Sequence, residues 1–183
     1  LLDEDPWVVI DLKTLVDRFD VYDMEVYLTH EISHAFHYSK TPSVYFGNNQ
    51  GVLQPPIFKM MIAEGMATYL SFLFTSGTIH RAYWFGQHSN EEVVEWMNLC
   101  EEVKGSIGDK VDTSDGEIPT DLIEHLFDVP DRDLGKSRMG YYYGTKIIQK
   151  VVKEKEFKTA LSMELQEYKD YVFRYFDLQG KSR

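Results

Sequence analysis

Apolar residues recur at helical spacing along much of this chain. Over about residues 20–38, Met24, Leu28, Ile32 and Phe36 form an i, i+4 row, which predicts an amphipathic helix with that row turned to the core. Pro55-Pro56 opens a second helical stretch running to about Thr75, since proline suits a helix's first turn, and Ser76-Gly77 closes it. Ser89-Asn90-Glu91-Glu92 reads as a capping box for a helix ending near Val103, and Thr120 or Asp121 starts a short one. Helices over about residues 141–155 and 157–173 complete a mostly helical pattern. Pro6-Trp7-Val8-Val9-Ile10 is short and β-branched between more polar flanks, which predicts a strand. Thr41-Pro42, Gly47-Asn48-Asn49-Gln50-Gly51 and the polar, glycine-bearing segment 105–116 predict irregular connections. No repeat, heptad or low-complexity tract interrupts this pattern.

The stretch 57–74 is apolar on nearly every side, with Lys59 and Glu64 its only charges, and its length approaches that of a membrane span. Glu64 lies in its middle, where hydrocarbon would penalise it, and Gly65, Thr68 and Ser71 lower its apolar character further, so it reads as a buried helix and not a span. With 183 residues, 43% of them hydrophobic, the chain fills one core and is read as a single domain, 1–183. A net charge of -11 argues against nucleic acid or an anionic membrane as partner, because no basic patch is there to neutralise phosphates. Cys100 is the single cysteine, so no internal disulfide forms. That leans towards a reducing compartment, taken as the cytoplasm, with Cys100 a helix-packing thiol. No signal peptide is visible at the start, and a chain beginning at Leu1 leaves room for a removed targeting or domain segment.

Chemistry concentrates in His30-Glu31-Ile32-Ser33-His34, a His-Glu-x-x-His pattern. Residues four apart on a helix are neighbours, so both imidazoles can reach one metal at about 2.0–2.1 Å. Glu31, about 100° round the helix, can approach water at that metal from the side. A catalytic site needs a third protein ligand, and Glu64 in Ala63-Glu64-Gly65-Met66-Ala67-Thr68-Tyr69 is the outstanding candidate. A carboxylate in an apolar helix must find a partner: a metal such as Zn2+, or an arginine or lysine in a buried ion pair. His37 shares the histidine face but lies about 10 Å along the helix from His30, too far for the same ion, and reads as cleft-lining or as an ordinary helix-end residue. A third-histidine scheme fails because His37 and Lys40 hold the positions where it needs glycine and histidine. His80, His88 and His125 have no motif around them, with His125 kept as a minor candidate for stabilising substrate.

Together, His30 to His34 and Glu64-Gly65-Met66-Ala67-Thr68-Tyr69 resemble the gluzincin zinc metallopeptidases, and glutamate-glycine-x-alanine is similar to the third-ligand helix of the membrane-alanyl-type aminopeptidases. A closer resemblance is to a family of uncharacterised bacterial predicted zinc-dependent proteases. That family also carries a late glycine-rich helix start, here Arg138-Met139-Gly140-Tyr141-Tyr142-Tyr143-Gly144. The resemblance implies an α+β, mostly helical, gluzincin-like fold with a small sheet edging a helical domain. It also implies Tyr141 as donor to a developing oxyanion, although three consecutive tyrosines are also an ordinary core and surface mixture. Two features depart from the pattern: no Gly-x-Met-Glu-Asn precedes His30, and Thr68 stands where thermolysin-like enzymes have aspartate, leaving the outer partner of the histidines open.

The expected activity is hydrolysis of peptide bonds in peptide or protein substrates by metal-activated water, with Glu31 as general base and His30, His34 and Glu64 as ligands. The 7–10 segment could pair with an extended substrate or be a plain structural strand. Two rivals stand beside this reading. One is a non-catalytic, zinc-holding regulatory or interaction domain, and the other an interaction domain with no metal.

Overall fold

The computed structural model describes residues 8, 12–45, 56–111, 120–127, 134–135 and 137–178. Among these, every regular element is an α-helix: α1 (Leu12–Arg18), α2 (Met24–Lys40), α3 (Pro42–Tyr45), α4 (Ile57–Phe74), α5 (Ile79–Tyr83), α6 (Asn90–Val111), α7 (Thr120–Phe127), α8 (Met139–Lys155), α9 (Phe157–Ala160) and α10 (Leu165–Tyr175). The expected α+β, gluzincin-like fold with its small edging sheet is therefore corrected: the described residues form no strand and the architecture is all helical. The core is helix on helix, with α2 and α8 both packed on α4, so no sheet supplies its walls. The strand expected over 6–10 falls outside the described residues apart from Val8, which belongs to no regular element.

α4 is the hub. Ile57, Met61, Ile62, Met66, Ala67 and Leu70 are fully buried within it, which explains a helix apolar on nearly every side. By length and composition it could cross a membrane, but 67% of it is buried inside the protein. α4 and α8 cross at two glycines. A Cβ built on Gly65 would fall 2.1 Å from the carbonyl carbon of Gly144, and one on Gly144 would fall 1.9 Å from the Met61 carbonyl oxygen. No other residue type allows backbones so close.

Local sequence sets several boundaries. Asp23 caps α2, its Oδ1 accepting from the amides of Glu25 and Val26 at 3.1 and 3.3 Å, and it also pairs with Arg81. The capping box of α6 forms as read, with Ser89 N–H donating to Glu92 at 2.9 Å and Glu92 N–H to Ser89 Oγ at 3.2 Å. α6 then runs past the expected loop to Val111, because Ile107 and Val111 continue its buried face while Gly105 meets open space. The helix expected over 157–173 is two helices. Between them, the carbonyls of Ala160 and Leu161 accept from the hydroxyls of Tyr168 and Thr41, so side chains replace the next turn of backbone bonds.

The face of α2 that is buried differs from the expectation. Ile32 and Phe36, from the row expected to face the core, are 57% and 42% exposed, while Val26, His30, Ser33 and His37 are buried. Docking on α4 decides this, since the histidine face is the one that meets the helix carrying Glu64.

Candidate metal centre

α2 and α4 bring His30, His34 and Glu64 together. One ligand atom from each lies within 4.8 Å of the others. His30 Nε2 is 3.1 Å and His34 Nε2 3.4 Å from Glu64 Oε2, and the two Nε2 atoms are 3.2 Å apart. Ligands bonded tetrahedrally at about 2.0–2.1 Å stand about 3.3–3.4 Å from one another, so these three atoms already have the spacing of one triangular face around zinc. The donor set also fits, because two imidazoles and a carboxylate suit a borderline divalent ion. The group can hold a metal ion.

The electrostatics of the cluster agree. Burial lowers the pKa of His30 to about 4, outweighing its hydrogen bond to Glu64. Burial also works against a charged His34, but the charge and hydrogen bond of Glu64, together with Glu31, outweigh it and raise that pKa. For Glu64, burial favours the neutral acid, yet the two histidines hold its carboxyl well below the usual range. The carboxylate thus stays ionised in the interior, with His34 the group that takes a proton when no metal does. No arginine or lysine pairs with it among the described residues.

Behind the ligands runs a bonded relay. With His34 Nε2 turned to the cluster, its Nδ1–H can donate to the Tyr45 phenol at 3.5 Å, and that phenol donates to Nδ1 of His37 at 3.0 Å. His37 Nε2–H then donates to Tyr168 Oη at 3.3 Å, and the Tyr168 hydroxyl donates to the Ala160 carbonyl. Tyr45, His37 and Tyr168 each donate one bond and accept one, so the Ala160 carbonyl at one end and His34 at the other fix the tautomer of His37. Burial holds His37 neutral, lowering its pKa to about 3, with the charge of His34 adding to the effect. His37 is a support reached through Tyr45 and stands outside the cluster. Among the described residues His30 has no such support: its Nδ1 is buried without a hydrogen-bond partner there, as is Oγ1 of Thr68, one turn past Glu64.

Glu31, with His34 and Glu64, lines a cavity of about 380 Å³. Among the described residues, Val44, Tyr45, Lys59, Met60 and Ala63 also line it. Burial raises the pKa of Glu31, the charge of His34 partly opposing, which makes it a better proton acceptor than a surface carboxylate. It is not one of the three residues whose ligand atoms lie within 4.8 Å of one another.

The three tyrosines of α8 separate by about 100° each and do different things. Tyr142 donates to Glu101 at 2.6 Å and Tyr143 to the Cys100 carbonyl at 2.7 Å, both tying α8 to α6. Tyr141 faces the cluster, its ring stacked 5.9 Å from that of His30 and its phenol within the electrostatic influence of Glu64. Burial, with Glu64 adding, pushes the Tyr141 phenol far up, so it keeps its proton as a donor must. Beside it stands a residue that sequence reasoning passed over. Arg138 is buried at the start of α8 with φ of 54°, and its guanidinium carbon lies 3.7 Å over the Tyr141 ring and 4.4 Å over that of Phe85. The i, i+3 spacing of Arg138 and Tyr141 at a helix start was the available signal. Tyr45 and Tyr168 gave none, because neither is near the motif in sequence. His125 is exposed on α7 and does not line the cavity, whereas His88 sits edge-on to Trp84 at 4.9 Å.

In comparisons with known proteins, no family model, no curated protein and no solved structure matches this chain.

Proposed function

We propose that this chain is a zinc-dependent peptidase whose metal is held by His30, His34 and Glu64 and whose general base is Glu31. One observation carries the reading. Three ligand atoms converge at tetrahedral spacing beside a carboxylate that is no ligand, and that carboxylate opens onto a cavity large enough for part of a peptide. A domain that merely stored zinc would need neither the cavity nor Glu31.

A bound zinc ion supplies Lewis acidity, polarising a carbonyl and lowering the pKa of water. The remaining work falls to side chains. Glu31 accepts a proton from the attacking water and returns it to the departing amine, so the C–N bond breaks as water adds across it. Tyr141 keeps its phenolic proton and offers it as a hydrogen bond to the oxyanion that develops on the carbonyl. The relay from His34 to Ala160 holds that imidazole at a fixed tautomer and orientation.

Digestion of a broad peptide library by zinc-loaded protein, by chelated protein and by protein reloaded with zinc tests this. Cleavage that disappears with chelation and returns with zinc is expected. Zinc-loaded, folded protein that cleaves nothing would overturn the peptidase reading and favour a zinc-holding domain.

A further inference from the structure

We propose that the cavity beside the cluster is a subsite for the carboxy-terminal residue of a peptide, with Lys59 receiving its carboxylate and Val44 and Met60 its apolar side chain. This rests on the peptidase reading above and narrows it to removal of carboxy-terminal residues.

The cavity has two chemically different ends. Glu31, His34 and Glu64 form the reacting end, while Val44, Met60 and Ala63 give apolar wall and Lys59 supplies a cation. Lys59 is only 7% exposed, and its ammonium donates to the Ser43 carbonyl at 2.9 Å. That uses one of three N–H groups and leaves the charge unmatched. No carboxylate lies within ion-pair distance of it among the described residues, although the chain has 30 acidic residues against 19 basic ones. Tying a helix to a carbonyl needs no charge, and burying an ammonium without a counter-ion is costly. A buried, unmatched cation on the wall of a cavity is explained by an anion that arrives there. The first turn of α4, to which Lys59 belongs, adds its own preference for negative charge.

Size and wall chemistry decide which anion. A cavity of about 380 Å³ is at the small end of the range for ligand pockets, about 300–1,000 Å³, and suits a chain end better than a passing strand. Its apolar wall suits a side chain such as leucine on the same residue that carries the carboxylate. The reaction balances as hydrolysis: water adds across the last peptide bond, leaving a shortened peptide with a new carboxylate and releasing one amino acid.

The test uses zinc-loaded protein and three probes whose binding is followed by calorimetry: N-acetyl-L-leucine, N-acetyl-L-leucinamide and N-acetyl-L-aspartic acid α-amide. The acid is expected to bind about 10- to 100-fold more tightly than either amide, the scale of a lost charge-assisted hydrogen bond, and Lys59→Met should remove that advantage. Comparable binding of the acid and its amide overturns the proposal, as does a preference for the aspartyl amide. An acid preference untouched by Lys59→Met places the carboxylate elsewhere, on the metal for example, and also overturns it. Should Lys59→Met fail to fold, the wild-type comparison is repeated with Met60→Trp, which narrows the cavity and should weaken binding of the acid. In parallel, cleavage products of free-acid and amidated peptides are mapped on wild type. Loss of the last residue from free acids only supports the subsite, whereas internal cleavage of both forms overturns it while the peptidase reading stands. Lys59-dependent binding without any cleavage would retain the subsite and overturn the peptidase.

Discussion

The Tyr45 phenol is held 3.0 Å from Nδ1 of His37, and through it a buried histidine outside the cluster supports one inside it. Removing this hydroxyl should loosen the metal without removing a ligand. Tyr45→Phe is expected to weaken zinc affinity about 10- to 100-fold while the fold is kept, the usual scale for an outer partner of a ligating histidine. His30→Ala, His34→Ala and Glu64→Ala should each cost far more, and His37→Ala less than Tyr45→Phe. Competition with a chromophoric chelator ranks the five variants. Loss of the metal in His37→Ala with its retention in Glu64→Ala would assign the third ligand wrongly here.

Gly65 and Gly144 make a second prediction, about the fold that positions the cluster. Alanine at either place would drive a methyl group into backbone, not into a side chain able to move aside. Gly144→Ala is expected to destabilise the protein by at least about 2–3 kcal/mol in chemical denaturation, with weakened zinc binding as α4 shifts against α8. Unchanged stability would show that the two helices do not cross at this point.

These two relationships also mark how far the sequence could be read. The apolar stretch 57–74, the capping box at Ser89 and the short helix near Thr120 were legible because local patterning decides them. So was the pairing of Glu64 with the two histidines, since a carboxylate in so apolar a helix needs a partner. The buried face of α2 was misread because burial there follows from docking on α4, and polar ligands took the inward side that periodicity assigns to apolar residues. The edging sheet came with the family resemblance, not with any pattern in the described helices, and it is absent from them. Tyr45, Tyr168 and Lys59 acquire their roles only through tertiary contact, which spacing along the chain does not encode.

Tyr141 offers a third prediction, because its phenol keeps its proton beside Glu64 and so remains a donor. An interaction made mainly with the oxyanion should affect the transition state more than substrate binding. Tyr141→Phe should lower kcat by about 10- to 1000-fold, with little change in KM or zinc content. An unchanged rate would remove Tyr141 from the mechanism.

In the proposed mechanism Glu31 acts as base beside a metal it does not bind. Glutamine preserves its size and much of its hydrogen bonding but cannot accept a proton near neutral pH. Zinc content and peptide hydrolysis are therefore to be measured on the same preparations of wild type and Glu31→Gln. Equal zinc in both is expected, with a loss of at least about 100-fold in hydrolysis in the variant. Equal hydrolysis by both would contradict that mechanism.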